Sequence, residues 1–178
     1  MPAVLSATRH TTALFAAKAI GLSLIIAVSA HVSVPFWPVP MTLQTCAVMT
    51  IAALFGHRLG VAAMLAYLAE GAVGLPVFAS GIGASVLVGP TAGYLAGMLA
   101  AAAIVGRATG HLATLGALLL GTVVIYAMGA GWLSLFVGVE RAWALGVLPF
   151  LLGDTAKGAL AWALSGALPA AIPALRRR

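Results

Sequence analysis

The chain reads as long apolar runs interrupted by short breaks. Six runs stand out, from about Ala13 to Val32, Leu43 to Phe55, Leu59 to Val73, Thr91 to Val105, Leu112 to Met128 and Trp143 to Ala163. Each is continuously apolar, which argues for helix and against the alternating strands of a membrane barrel. The pattern predicts an all-α bundle of six membrane-crossing helices forming one integral-membrane domain over residues 1–178. The second and third runs are short for ~30 Å of hydrocarbon, so their ends must reach into the flanking loops or the bilayer must thin there.

Composition agrees with that pattern and excludes alternatives. Of 178 residues, 63% are hydrophobic and 7% charged, and the mean hydropathy is +1.15. A soluble domain carries about 25% charged residues. An aqueous globule, a disordered tail and a nucleic-acid binder are therefore excluded together, despite a net charge of +6. The lone cysteine, Cys46, allows no intramolecular disulfide.

The basic residues mark topology. Arg9 with His10 precedes the first run, His57-Arg58 separates the second from the third, Arg107 with His111 separates the fourth from the fifth, and Arg176, Arg177 and Arg178 end the chain. If six spans alternate, these clusters share one side and hold six of the nine basic residues. The other side has only Arg141, beside Glu140, while Lys18 and Lys157 lie inside runs. Positive-inside counting then puts both termini in the cytoplasm of a multi-pass protein of the inner (plasma) membrane. A cleaved signal peptide is the competing reading of the first run, with Arg9-His10 as its basic region and Val28-Ser29-Ala30 as its cleavage site.

The outer connections differ from the inner ones. Residues 33–42 and 74–90 are rich in Pro and Gly yet strongly apolar, and Gly129–Arg141 forms the third connection. Non-helical backbone of that kind is tolerated when it is buried in protein or lines a cavity. These loops are expected to fold back over the outer mouth of the bundle, above a binding cavity that opens outward.

Ionisable groups at span depth are costly and point to function by default. Asp154 and Lys157 are spaced i, i+3 on one face of the sixth run. A carboxylate accepts hydrogen bonds and an ammonium donates three, so the two together suit a ligand with N–H donors and an anionic group. An intrahelical ion pair that merely makes the span tolerable is the plainer alternative. Glu70, beside Gly71 and before Gly74-Leu75-Pro76, is read as hydrogen-bonding a bent loop, with a proton site as the alternative. Lys18 is read as a snorkelling anchor. Ala13, Ala17 and Gly21 form a small-residue stripe for close helix approach, within the molecule or to a partner, and Gly93 and Gly97 form another, expected to pack internally.

Other chemistries find no support. His10, His31, His57 and His111 lack metal-ligand spacing. Gly83-Ala84-Ser85 is similar to a rhomboid-protease serine motif, but no histidine lies at mid-depth to act as its base. There is no phosphate-binding G-x-x-x-x-G-K-[ST] loop, so any ATP hydrolysis belongs to another chain. The sequence calls for no enzymatic activity and no cofactor.

Four stretches together resemble the BioY family of biotin-binding membrane subunits, the S components of energy-coupling factor importers. They are Val39-Pro40-Met41-Thr42-Leu43-Gln44-Thr45, Gly74-Leu75-Pro76-Val77-Phe78-Ala79, Gly89-Pro90-Thr91-Ala92-Gly93-Tyr94-Leu95-Ala96-Gly97 and Pro149-Phe150-Leu151-Leu152-Gly153-Asp154-Thr155-Ala156-Lys157. The chain departs from the family at residues 79–84, where the family runs richer in glycine. The resemblance implies biotin as ligand, with Asp154 and Lys157 as its polar contacts, Gln44 and Tyr94 in the pocket, and Phe36 or Trp37 shielding the thioether ring. It also implies a transmembrane coupling subunit and ATPase subunits as partners, docked through Ala13, Ala17 and Gly21. The same stripe also fits a homo-oligomer contact. A self-sufficient permease that uses Glu70 or Asp154 as a proton carrier is the alternative function.

Overall fold

The computed structural model describes the backbone of residues 2–171 and the side chains of 11–169 and 171. The side chains of Arg9 and His10, and Arg176, Arg177 and Arg178, expected as topology markers, lie outside the described residues. The architecture is almost entirely helical. Helix α1 spans Pro2–His31, α2 Gln44–Ala72, α3 Ala92–Val105, α4 His111–Val137, α5 Val139–Gly146 and α6 Leu151–Ala171. A two-stranded ribbon, β1 (Ser33–Val34) antiparallel to β2 (Met41–Thr42), closes the first outer loop, and short 3₁₀ turns occupy Ala84–Leu87 and Leu148–Phe150.

Among the described residues, four stretches suffice by length and composition to cross a membrane: Thr11–His31, Gln44–Ala72, His111–Val137 and Val139–Pro169. Ala92–Val105 is a shorter apolar helix. Five apolar stretches are thus counted among the described residues where six runs are expected, the second and third runs lying together in α2. That element is not straight. Gly56 has φ 85° and ψ 168°, which only glycine adopts readily. The chain reverses there, since a Cβ on Gly60 would lie 3.0 Å from the Cα of Ala52. In a continuous helix those two residues would stand about 12 Å apart along the axis.

Two other boundaries differ from the sequence expectation. The fifth run continues as helix to Val137, so the stretch Gly129–Arg141, expected as an outer connection, is helical up to the turn at Gly138. The sixth run is broken at Val147–Phe150, and its helix begins at Leu151 instead of Trp143.

The helices are held by tight, small-residue contacts. A Cβ at Gly93 would meet the Trp132 Cβ at 2.3 Å and the Met128 carbonyl at 2.4 Å, and one at Gly97 would meet the Ile125 Cα at 2.8 Å. That stripe packs α3 onto α4, as expected for internal packing. The stripe on α1 does not pack: Ala13, Ala17 and Gly21 are exposed, and nothing lies within 4 Å of a Cβ built on Gly21. Ile26, Ala63, Met64, Tyr67, Ala101, Ala102 and Val105 form the fully covered centre. Leu14, Ile20, Leu24, Val28, Leu112, Leu119 and Val123 face outward, a distribution that suits helices solvated by lipid.

The bundle has two distinct ends. At one, His57 N–H donates to the Gly106 carbonyl (3.0 Å), and His111 stacks on Trp162 at 4.4 Å. Arg58 and Arg107 therefore sit at the same end. At the other, His31 Nε2 meets the Pro76 carbonyl (2.9 Å), Trp132 Nε1 donates to the Gly89 carbonyl (2.9 Å), and Phe36 packs on Phe150. The apolar loops gather there and turn Val39, Val77, Phe78 and Val86 inward.

Candidate functional site

The site starts at the first turn of α6. The 3₁₀ turn with Pro149 ends at Phe150, and the next residues carry Asp154 one turn into the helix. A carboxylate there is favoured by the unpaired N–H groups and dipole of a helix N-terminus. Lys157 follows one turn later, and its Nζ donates to Asp154 Oδ1 at 2.7 Å. The pair is largely withdrawn from solvent, with Lys157 14% and Asp154 10% exposed. The second carboxylate oxygen is also occupied: the Tyr126 hydroxyl of α4 donates to Asp154 Oδ2 at 2.7 Å. Three polar groups from two helices thus form one closed cluster.

Asp154 and Lys157 line a small cavity with Thr45, Cys46, Met49, Thr122, Ile125 and Gly158. Thr122 spends its hydroxyl proton on the Leu118 carbonyl. The Thr45 hydroxyl, in contrast, is buried without a hydrogen-bond partner. Unpaired buried polar atoms are costly and rare, which makes each one a candidate ligand contact.

Gln44 and Tyr94 belong to a second small cavity, roofed by Val39, Phe78 and Ser80 of the outer loops. Gln44 is 3% exposed, and its Nε2 has no partner. Tyr94 contributes its ring to the lining, while its hydroxyl donates to the Gly146 carbonyl at 2.8 Å. Tyr67 lines the same space and donates to the Val77 carbonyl at 3.2 Å, tying the second loop to α2. The four residues anticipated from sequence are thus divided between two cavities. Gln44 and Thr45, consecutive on the first turn of α2, face one cavity each.

The remaining candidates fall outside both cavities. Phe36 leans on Phe150 with ring centroids 6.2 Å apart, and Trp37 is 81% exposed. Both line a wider groove at the outer surface with Ser33, Gly81 and Thr91. Glu70 is tied to α1 by the Ser23 hydroxyl at 2.6 Å. Ser85 donates to the Ile82 carbonyl within its own turn.

Tyr126 and Tyr67 were not anticipated. The available signal for Tyr126 was its place four residues after Thr122 in an otherwise apolar run, which puts two hydroxyls on one helix face.

Apolar helices, loops folded over one end and a largely withdrawn charge pair beside a cavity mark the chain as a multi-pass membrane protein. Residues 4–174 match the BioY family, and the chain belongs to it. It is 43% identical over 136 residues to a probable biotin transporter BioY of Pyrococcus horikoshii, covering 75% of this chain and 83% of that one. It is 38% identical over 139 residues to the biotin transporter BioY of Thermotoga maritima, covering 75% and 82%. With the biotin transporter BioY of Rhizobium etli it shares 34% identity over 182 residues, covering 94% and 95%. Its fold matches the crystal structure of the S-component for biotin from an ECF-type ABC transporter, with a TM-score of 0.74, 24% identity, and coverage of 88% and 90%.

Proposed function

We propose that this chain captures biotin at the outer face of the plasma membrane and passes it inward as the substrate-binding subunit of an importer. The observation that carries this reading is the withdrawn Asp154–Lys157 pair beside a cavity, in a chain whose relatives are biotin transporters. Biotin has the matching chemistry: a ureido ring with two N–H donors, and a carboxylate on a flexible chain. Asp154 accepts from the ring and Lys157 donates to the carboxylate. Gln44, whose amide N–H groups lack a partner, and the ring of Tyr94 complete the pocket from the neighbouring cavity.

The chain crosses the bilayer six times in this reading, with the arms of α2 on either side of Gly56 counted separately and both termini in the cytoplasm. Arg58 and Arg107 at one end of the bundle, against Glu140 and Arg141 beyond the other, support that orientation. The exposed Ala13/Ala17/Gly21 stripe is the docking face for a coupling subunit, which acts with ATPase subunits.

Equilibrium dialysis of the purified protein against labelled biotin tests the reading. Saturable binding, competed by unlabelled biotin, is expected. Asp154→Asn and Lys157→Ala are each expected to weaken it at least ~10-fold, since a hydrogen bond to a charged group is worth ~1.5–3 kcal/mol. No saturable binding by the folded protein sinks the ligand assignment, and unchanged binding by both variants sinks the site.

A further inference from the structure

We propose that Tyr126 is the positioning residue of this site: it keeps Asp154 in place while Lys157 leaves the carboxylate to meet the ligand's own anion. The inference rests on the biotin reading above. It starts from how the carboxylate is shared. Tyr126 holds Oδ2 and Lys157 holds Oδ1, each at 2.7 Å, so neither oxygen is free before a ligand arrives.

The two donors are not equivalent. Lys157 sits on the same helix as Asp154, and its four-carbon stem lets the ammonium swing while the backbone stays still. Tyr126 reaches across from α4 on a half-buried ring with only two side-chain torsions, so its hydroxyl has a fixed position. An incoming carboxylate competes with Asp154 for Lys157. Without a second donor, drawing the lysine away would strand a withdrawn carboxylate, which is strongly penalised. Tyr126 prevents that. It also decides which oxygen is released: Oδ2 stays with the phenol, and Oδ1 turns to the ligand's N–H. The closed triad is then a resting arrangement that a ligand with both an N–H donor and an anion opens, and one lacking the anion leaves largely intact.

A double-mutant cycle read with two ligands tests this. Biotin and biotin methyl ester, which lacks the anion, are each titrated against the parent protein, Tyr126→Phe, Asp154→Asn and the double variant. Tyr126→Phe keeps the ring and deletes only the hydroxyl. The expected loss is about ten-fold for biotin and no more than about three-fold for the ester, in keeping with the usual worth of a hydrogen bond to a charged group. Adding Tyr126→Phe to Asp154→Asn is expected to cost nothing further for biotin, because the two residues act as one unit. An equal loss for both ligands, or losses that multiply in the double variant, assigns Tyr126 a merely structural part and overturns the proposal. Should Asp154→Asn bind biotin as the parent does, the site assignment itself fails. A loss in Asp154→Asn with none in Tyr126→Phe overturns only the positioning role.

Discussion

A carboxylate and an ammonium withdrawn from water cost several kcal/mol of desolvation each, and their mutual attraction offsets this only when the remaining hydrogen-bonding positions are filled. Asp154 meets that condition through Lys157 on one oxygen and Tyr126 on the other. Removing one charge should therefore be worse for the fold than removing both. Lys157→Met is expected to lower the unfolding free energy in detergent by about 3 kcal/mol, and adding Asp154→Asn to recover at least half of that. Thermal unfolding of the two variants without ligand checks the order, and a double variant less stable than Lys157→Met would contradict it. The pair itself was visible in the sequence, because two opposite charges at i, i+3 in an apolar run have few neutral explanations. Tyr126 was hidden because its partner lies 28 residues away on another helix. The division into two cavities was hidden as well, since it depends on Gln44 and Thr45 pointing to opposite sides of one turn.

At the scale of elements, small residues set how closely helices approach, and the two small-residue stripes make opposite predictions. A side chain at Gly93 would run into Trp132 and the backbone carbonyl of Met128. Gly93→Val is expected to cost about 3 kcal/mol of stability, at the upper end of the usual overpacking range, because backbone yields poorly. Gly21 faces open space, so Gly21→Ala should be neutral or stabilising by up to ~1 kcal/mol through helix propensity alone. Unfolding midpoints measured side by side decide this; a destabilised Gly21→Ala together with an unaffected Gly93→Val would reverse the assignment of the two stripes. Apolar runs with few charges made the helical class plain from the sequence. Their ends were less plain, for a physical reason. The stretch from Gly129 is expected as a connection, yet Gly129 sits inside α4, where the Tyr94 ring takes the place its side chain would fill. Leu148-Pro149-Phe150 is apolar enough to read as span, but its backbone is a 3₁₀ turn. Hydropathy records which residues avoid water and is silent on whether a glycine is there for its torsion angles or for its small size.

For the whole molecule, orientation is the property that decides which compartment the cavities serve. The apolar loops that roof the cavity holding Gln44 gather at the end opposite Arg58 and Arg107. If those arginines are cytoplasmic, a ligand enters from outside, through the groove that Phe36, Trp37 and Gly81 share. Single cysteines test this. In a Cys46→Ala background, Ser33→Cys and Thr109→Cys place one exposed thiol at each end of the bundle. A membrane-impermeant maleimide added to intact cells should label Ser33→Cys, and should reach Thr109→Cys only after the membrane is permeabilised. Biotin present during labelling should slow the reaction at Ser33→Cys if the ligand passes under that loop and orders it. The reverse labelling pattern would invert the bundle and turn the cavities toward the cytoplasm. The six-span reading makes a sharper demand on α2, whose arms reverse at Gly56. A cysteine at Arg58 must then behave like Thr109→Cys, since the Gly106 carbonyl bonded to His57 holds the two turns side by side. Labelling of Arg58→Cys from outside would put the reversal at Gly56 on the outer face, and the charge argument for cytoplasmic termini would fall with it.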